Sequence, residues 1–219
     1  MIRLKRLGAR LLELIYPRTA VCMGCGSAAG MDQPWLCPDC RKTLARRWVG
    51  AFPEPKLDGA AAAYYYHGPA GSVVRRMKYG GVRGLAEPMA DDMMRAYERI
   101  LPTGAELVTA VPMHPKRLKQ RGFNHAEVLA RAMAARLEMP YEDVIVRTRN
   151  TVQQARLEGE ERLNNLKDAF EADGPVRGRR ILLVDDVYTT GETARECAIA
   201  LRAAGARSVS FLSYAKGGK

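Results

Sequence analysis

Two adjacent carboxylates, Asp185 and Asp186, are followed after two residues by Thr189, Thr190, Gly191, Glu192 and Thr193. Hydroxyls and backbone N–H groups gathered at a helix N-terminus are donors suited to a phosphate monoester. Carboxylates on the preceding strand end can accept from neighbouring hydroxyls, so the two halves together describe a phosphorylated sugar. A second reactive set is Cys22-Met-Gly-Cys25 and, after eleven residues, Cys37-Pro-Asp-Cys40. Two such knuckles aim four thiolates at one ion, the tetrahedral shell that Zn²⁺ prefers, and fill it, which makes the metal structural. A redox pair or buried free cysteines would leave the second pair without a purpose. A third set is cationic: Lys116, Arg117, Lys119 and Arg121 lie between Pro112 and Asn124.

Each set needs an element to position it. Ile181–Val184 is a continuous apolar run, the signature of a strand covered on both faces. Ala194, Cys197, Ala198 and Leu201 recur at helical spacing, so a helix is expected from about Glu192 to Ala204, with Cys197 in the core. Leu107–Val111 reads as another covered strand, and the basic stretch after it as a loop. Ligands of open α/β sheets bind outside the carboxyl ends of strands, which places that loop toward an anion. Gly59-AAAAYYYHG reads as a strand. The next segment is a short helix through Val73, Val74 and Met77, closed by Gly80-Gly81. Lys78 in its last turn reads, from local sequence alone, as a solvated cation. Val144–Val146 and SVSFLSY near the C-terminus complete the strands. Neither His114 nor His125 is assigned a chemical role.

Strands and helices alternate, which predicts an α/β domain with a mainly parallel sheet and helices on both faces. Residues 1–50 are expected to form a separate unit: an amphipathic helix over 2–16, carried by Leu4, Leu7, Leu11 and Leu14, then the zinc ribbon. The stretch 49–58, with two prolines and no apolar period, reads as a linker into a domain over 51–219. The polar segment Arg147–Phe170 reads as a long excursion of the kind that closes over sites.

The net charge of +11 and pI near 9.7 call for an anionic partner without choosing one. No run reaches the roughly 20 apolar residues of a membrane span. The basic N-terminus lacks the pattern of a secretory signal, and paired cysteines fit a reducing compartment, so the cytoplasm is expected. The acidic strand end has other uses elsewhere, but a nucleotide-binding GxxxxGK[ST] loop and a dinucleotide GxGxxG turn are both missing. A phospho-accepting aspartate would give no reason for the hydroxyl-rich loop.

ILLVDDVYTTGET resembles the PRPP-binding motif of type I phosphoribosyltransferases. Together with the two CxxC pairs, KYGG, VPMHPKRLKQRGFNHAEVLA and RLNN, the chain resembles the ComF/GntX family along nearly its whole length. The resemblance implies a zinc-ribbon module, a type I phosphoribosyltransferase fold, and a link to competence and DNA uptake. It implies that Asp185 and Asp186 meet the ribose hydroxyls of PRPP at the catalytic centre, and that Thr189–Thr193 enclose the 5-phosphate. Pyrophosphate would lie near Pro112–Arg121, including Arg117 and Arg121, with Mg²⁺ bridging to the ribose. Lys78 and the segment 153–165 would close the site. His125 stands where glutamine is expected. Two functions follow: a transferase that displaces pyrophosphate from PRPP, or a non-catalytic module using the pocket as a sensor, with single-stranded DNA or uptake proteins as partners.

Overall fold

The computed structural model describes residues 21–28, 35–99, 104–148, 169–172 and 174–218. The helix expected over 2–16 and residues 149–168 of the polar excursion lie outside them.

The sheet is built from the apolar runs. Five strands, β1 (Trp48–Ala51), β2 (Gly59–Tyr65), β3 (Leu107–Ala110), β6 (Arg180–Tyr188) and β7 (Ser208–Lys216), lie in the order β1-β2-β7-β6-β3. All neighbours are parallel except the outer pair β1-β2. A separate antiparallel pair joins β4 (Ile145–Arg147) to β5 (Phe170–Ala172). The helices are α1 (Pro38–Arg46), α2 (Pro69–Gly80), α3 (Ala86–Tyr97), α4 (Pro115–Arg121), α5 (His125–Leu137) and α6 (Glu192–Ala203). α5 packs on β3 and β6, α3 on β2 and β7, and α6 on β7 and β5. Ile181, Leu182, Leu183 and Val184 are fully enclosed, as a strand sandwiched between helices must be. Among the described residues no helix is long and apolar enough to cross a membrane.

Three expectations change. β6 does not stop before the aspartates but continues through them to Tyr188, because Asp185 and Val187 keep their pairing to Ser213 and Ala215. The stretch read as a linker opens as strand β1, where the alanines of β2 offer a flat partner edge. The basic loop is the helix α4: the His114 side chain accepts from the Lys116 N–H at its start, Pro115 occupies the first turn, and Gly122 (φ 77°) closes it.

Candidate functional site

Consecutive side chains of a strand point to opposite faces, so extending β6 through both aspartates separates them. Asp186, 5% exposed, faces α2 and α5. Its Oδ1 lies 2.7 Å from Lys78 Nζ, and its Oδ2 lies 4.0 Å from His125 Nδ1. Lys78 is therefore no solvated cation. The helix α2 reaches the sheet edge before Gly81 (φ 67°) ends it, and delivers the ammonium to a carboxylate 108 positions later in the chain. Burial opposes the ammonium, but the charge and hydrogen bond of Asp186, with the charge of Asp185, together outweigh it and hold the lysine above its usual range.

Asp185 takes the other face, beside Thr193 and Ala194 of α6, where its charge raises the thiol of buried Cys197 further. Its Oδ1 accepts the N–H of Asp186 at 2.7 Å. Burial first, and the adjacent Asp186 carboxylate second, push Asp185 up to about 7. The pair is thus unequal. One carboxylate is neutralised by lysine, and the other titrates near neutrality.

Beyond Tyr188 the chain turns through Thr189 and Thr190 into Gly191, the left-handed N-cap of α6 (φ 80°). A β-carbon there would collide with the Tyr188 hydroxyl, so glycine is required on both counts. The turn is braced from outside. Glu54, on the segment between β1 and β2, accepts from the Tyr188 hydroxyl and from Arg195 Nη1 at 2.8 Å. Arg195 Nη2 in turn donates to the Thr190 carbonyl at 3.0 Å. Phe52 packs against Tyr188 in a tilted arrangement with ring centroids 4.8 Å apart.

A cleft of ≈ 400 Å³ joins these parts, with Lys78, Asp185, Asp186, Thr189, Thr193 and both Arg117 and Arg121 on its walls. Helix α4 explains which cations arrive: Arg117 and Arg121, four residues apart, share the face toward the cleft, whereas Lys116 and Lys119 do not line it. Thr190 and Glu192 lie outside that lining, and Gly191 borders only the smaller hollow over Asp185. Arg121 also lies 5.1 Å over the exposed ring of Tyr79, next to Lys78.

Sequence reasoning missed several wall residues. His125 is 1% exposed, and its ring nitrogens make no well-formed hydrogen bond. Burial, with Arg121 and Lys78 nearby, lowers it to about 4 despite the Asp186 charge, so the ring is neutral at pH 7. Asn124 holds the entry to α5, accepting the Ala126 N–H and donating to the Val111 carbonyl at 3.0 Å. Asn124 with Glu127 three residues on is a capping pattern that could have been read in advance. Arg147, at the end of β4, and Gly217 also line the cleft.

The four cysteines come together as expected. The sulfurs of Cys22, Cys25, Cys37 and Cys40 all lie within 4.8 Å of one another, a donor set that fits one tetrahedral ion. Burial opposes the Cys22 thiolate, but N–H groups of Cys37, Cys25 and Gly24 outweigh it and bring the thiol to about 6. Burial and the neighbouring thiols push Cys40 well up. Gly24 allows the knuckle to close, since a side chain there would strike the Cys40 sulfur.

Residues 124–218 match the phosphoribosyl transferase domain family. The chain is 30% identical over 201 residues to DNA utilization protein YhgH of Salmonella typhi, covering 89% of this chain and 83% of that protein. It is 28% identical over 174 residues to Competence protein F of Haemophilus influenzae, covering 74% and 75%. With Competence protein ComFC of Bacillus subtilis it shares 26% over 194 residues, covering 84% and 78%. Similarity over most of both chains, added to the acidic strand end and the thiol cluster, makes this protein a member of the ComF/GntX family of phosphoribosyltransferase-like proteins.

Proposed function

We propose that the main cleft binds PRPP in the cytoplasm and that the chain can transfer its phosphoribosyl group with release of pyrophosphate. One observation carries this reading: the Lys78–Asp186 pair, Asp185, the threonine turn and the α4 arginines all border one space. In it the turn before α6 holds the 5-phosphate, through N–H groups at a helix start and the hydroxyls of Thr189 and Thr193, while Thr190 braces the turn through its carbonyl. Asp185 and Asp186 take the ribose hydroxyls. Arg117 and Arg121 receive the pyrophosphate, and Lys78 releases part of its hold on Asp186 to meet it. Asp185 and Asp186 would hold Mg²⁺ together with the ligand, and the ion would supply charge neutralisation for the departing polyanion. Carboxylates beside an anomeric carbon that becomes positive, with cations beside a departing anion, favour the transition state over the ground state.

Binding is tested by calorimetric titration of PRPP with Mg²⁺ into the wild-type chain and into Asp185→Ala/Asp186→Ala. Saturable binding in the first and none in the second is expected; heat without saturation in both would refute the assignment. Turnover is tested by pyrophosphate release against a panel of bases, amines and nucleic acids. The cysteine cluster is assigned one structural Zn²⁺, expected near one ion per chain in metal analysis of protein purified without chelator.

A second reading, a non-catalytic module that engages single-stranded DNA or uptake proteins, is favoured by the net charge of +11 and by the competence relatives. DNA uptake that persists in the double-alanine chain would make the PRPP pocket dispensable to it.

A further inference from the structure

His125 lines the main cleft with 1% of its surface exposed, and neither ring nitrogen completes a hydrogen bond among the described residues. The Lys78 backbone and the Asp186 carboxylate both approach the ring. Asp186 Oδ2 lies 4.0 Å from Nδ1, roughly 1 Å beyond hydrogen-bond length.

Packing, not hydrogen bonding, sets the ring in place. Phe123 meets it edge-on with centroids 4.8 Å apart. Asn124 fixes the backbone beneath it by capping α5 and by donating to the Val111 carbonyl. A leucine could fill such a position without burying two unsatisfied polar atoms, which is costly. A bond made in another state of the cleft would offset that cost.

Asp186 offers such a bond. Lys78 holds its Oδ1 at 2.7 Å, and the same ammonium borders the space where a polyanion would enter. An arriving polyanion competes for the ammonium, and a carboxylate 5% exposed then needs a further donor. His125 already faces the other oxygen.

We propose that His125 is a positioning residue: as Lys78 turns to the ligand, the imidazole donates from Nδ1 to Asp186 Oδ2 and keeps that carboxylate aimed at the ribose. The role rests on the PRPP reading of the cleft. It needs a small approach of ring and carboxylate, since α5 already packs on β6.

The test uses the full chain with ¹⁵N-labelled histidine, the His125 signal being told from those of His67 and His114 by its loss in His125→Asn. Lys78→Met keeps the lysine stem and drops its charge, which imitates the released lysine with no ligand present. A downfield, exchange-protected ring N–H of His125 is expected in Lys78→Met and in the wild-type chain with PRPP and Mg²⁺, but not in the wild-type chain alone. His125→Leu is expected to weaken PRPP binding, read by calorimetry, by about 10- to 100-fold. His125→Asn, whose amide nitrogen stands where Nδ1 does, is expected to stay within about 3-fold of wild type. Absence of the N–H signal in both Lys78→Met and the PRPP-bound chain, or equal effects of the leucine and asparagine substitutions, overturns the proposal. A wild-type chain that does not bind PRPP refutes the cleft assignment instead, and the signal in ligand-free Lys78→Met then decides the role of His125 by itself.

Discussion

The thiol cluster and the acidic strand end both crowd anionic groups, and the protein handles them differently. Four sulfurs converge within 4.8 Å with no basic side chain in hydrogen-bond contact among the described residues, so only an external cation can let all four ionise. At the strand end the two-residue period of β6 sends the carboxylates to opposite faces. One lysine then suffices for Asp186, while Asp185 keeps its proton to about pH 7. Convergent anions create a metal requirement, whereas divergent ones leave one group poised for a ligand.

Breaking the first half of that contrast should give the largest effect. Cys40→Ser is expected to remove bound zinc, read by metal analysis, and to unfold the region around Leu36 and Leu44, because structural zinc contributes on the order of 10 kcal/mol to such modules. Breaking the second half should cost less. Lys78→Ala leaves buried Asp186 uncompensated, for an expected loss of about 3 kcal/mol in denaturant unfolding. Adding Asp186→Asn should restore most of it; no restoration would mean that lysine packing, not its charge, matters. Gly191→Ala, which breaks no charge, should cost about 2 kcal/mol through left-handed backbone and the collision with Tyr188. The smallest effect has the opposite sign. A carboxyl whose folded pKa is raised above its unfolded value makes stability fall as pH rises, here between about 4 and 7. Asp185→Asn should therefore stabilise the ligand-free chain by about 1 kcal/mol at pH 8. The two chains should converge below pH 4, as read by thermal melts across pH.

What could be read in the sequence was what neighbours in the chain determine. Ile181–Val184, the helix from Glu192, the αL stop at Gly81 and the paired cysteine knuckles all rest on periodicity or spacing within a dozen or so residues. The ion pair of Lys78 with Asp186 and the brace from Glu54 to Tyr188 and Arg195 span more than a hundred positions, and no local pattern announces them. The family resemblance singles out Arg117 and Arg121 from Lys116 and Lys119, but the physical reason, a shared helix face, comes only with the helical form of their segment. β1 was hidden because its pairing comes from the alanine edge of β2 rather than from its own composition. His125 looks like an ordinary first-turn residue until α5 is placed against β6.

The sheet order β1-β2-β7-β6-β3 also dictates when the protein can become itself during synthesis. β7 is the last strand in chain order, yet it sits at the centre, bonded to β2 on one side and β6 on the other. Until Ser208–Lys216 has left the ribosome, the two halves of the sheet have open edges and no common core. A nascent chain stalled before that point would expose alanine-rich β2 and the apolar run of β6 as aggregation-prone edges. Its acidic strand end, already translated, would not yet be joined to the half of the sheet that leads into α2 and Lys78.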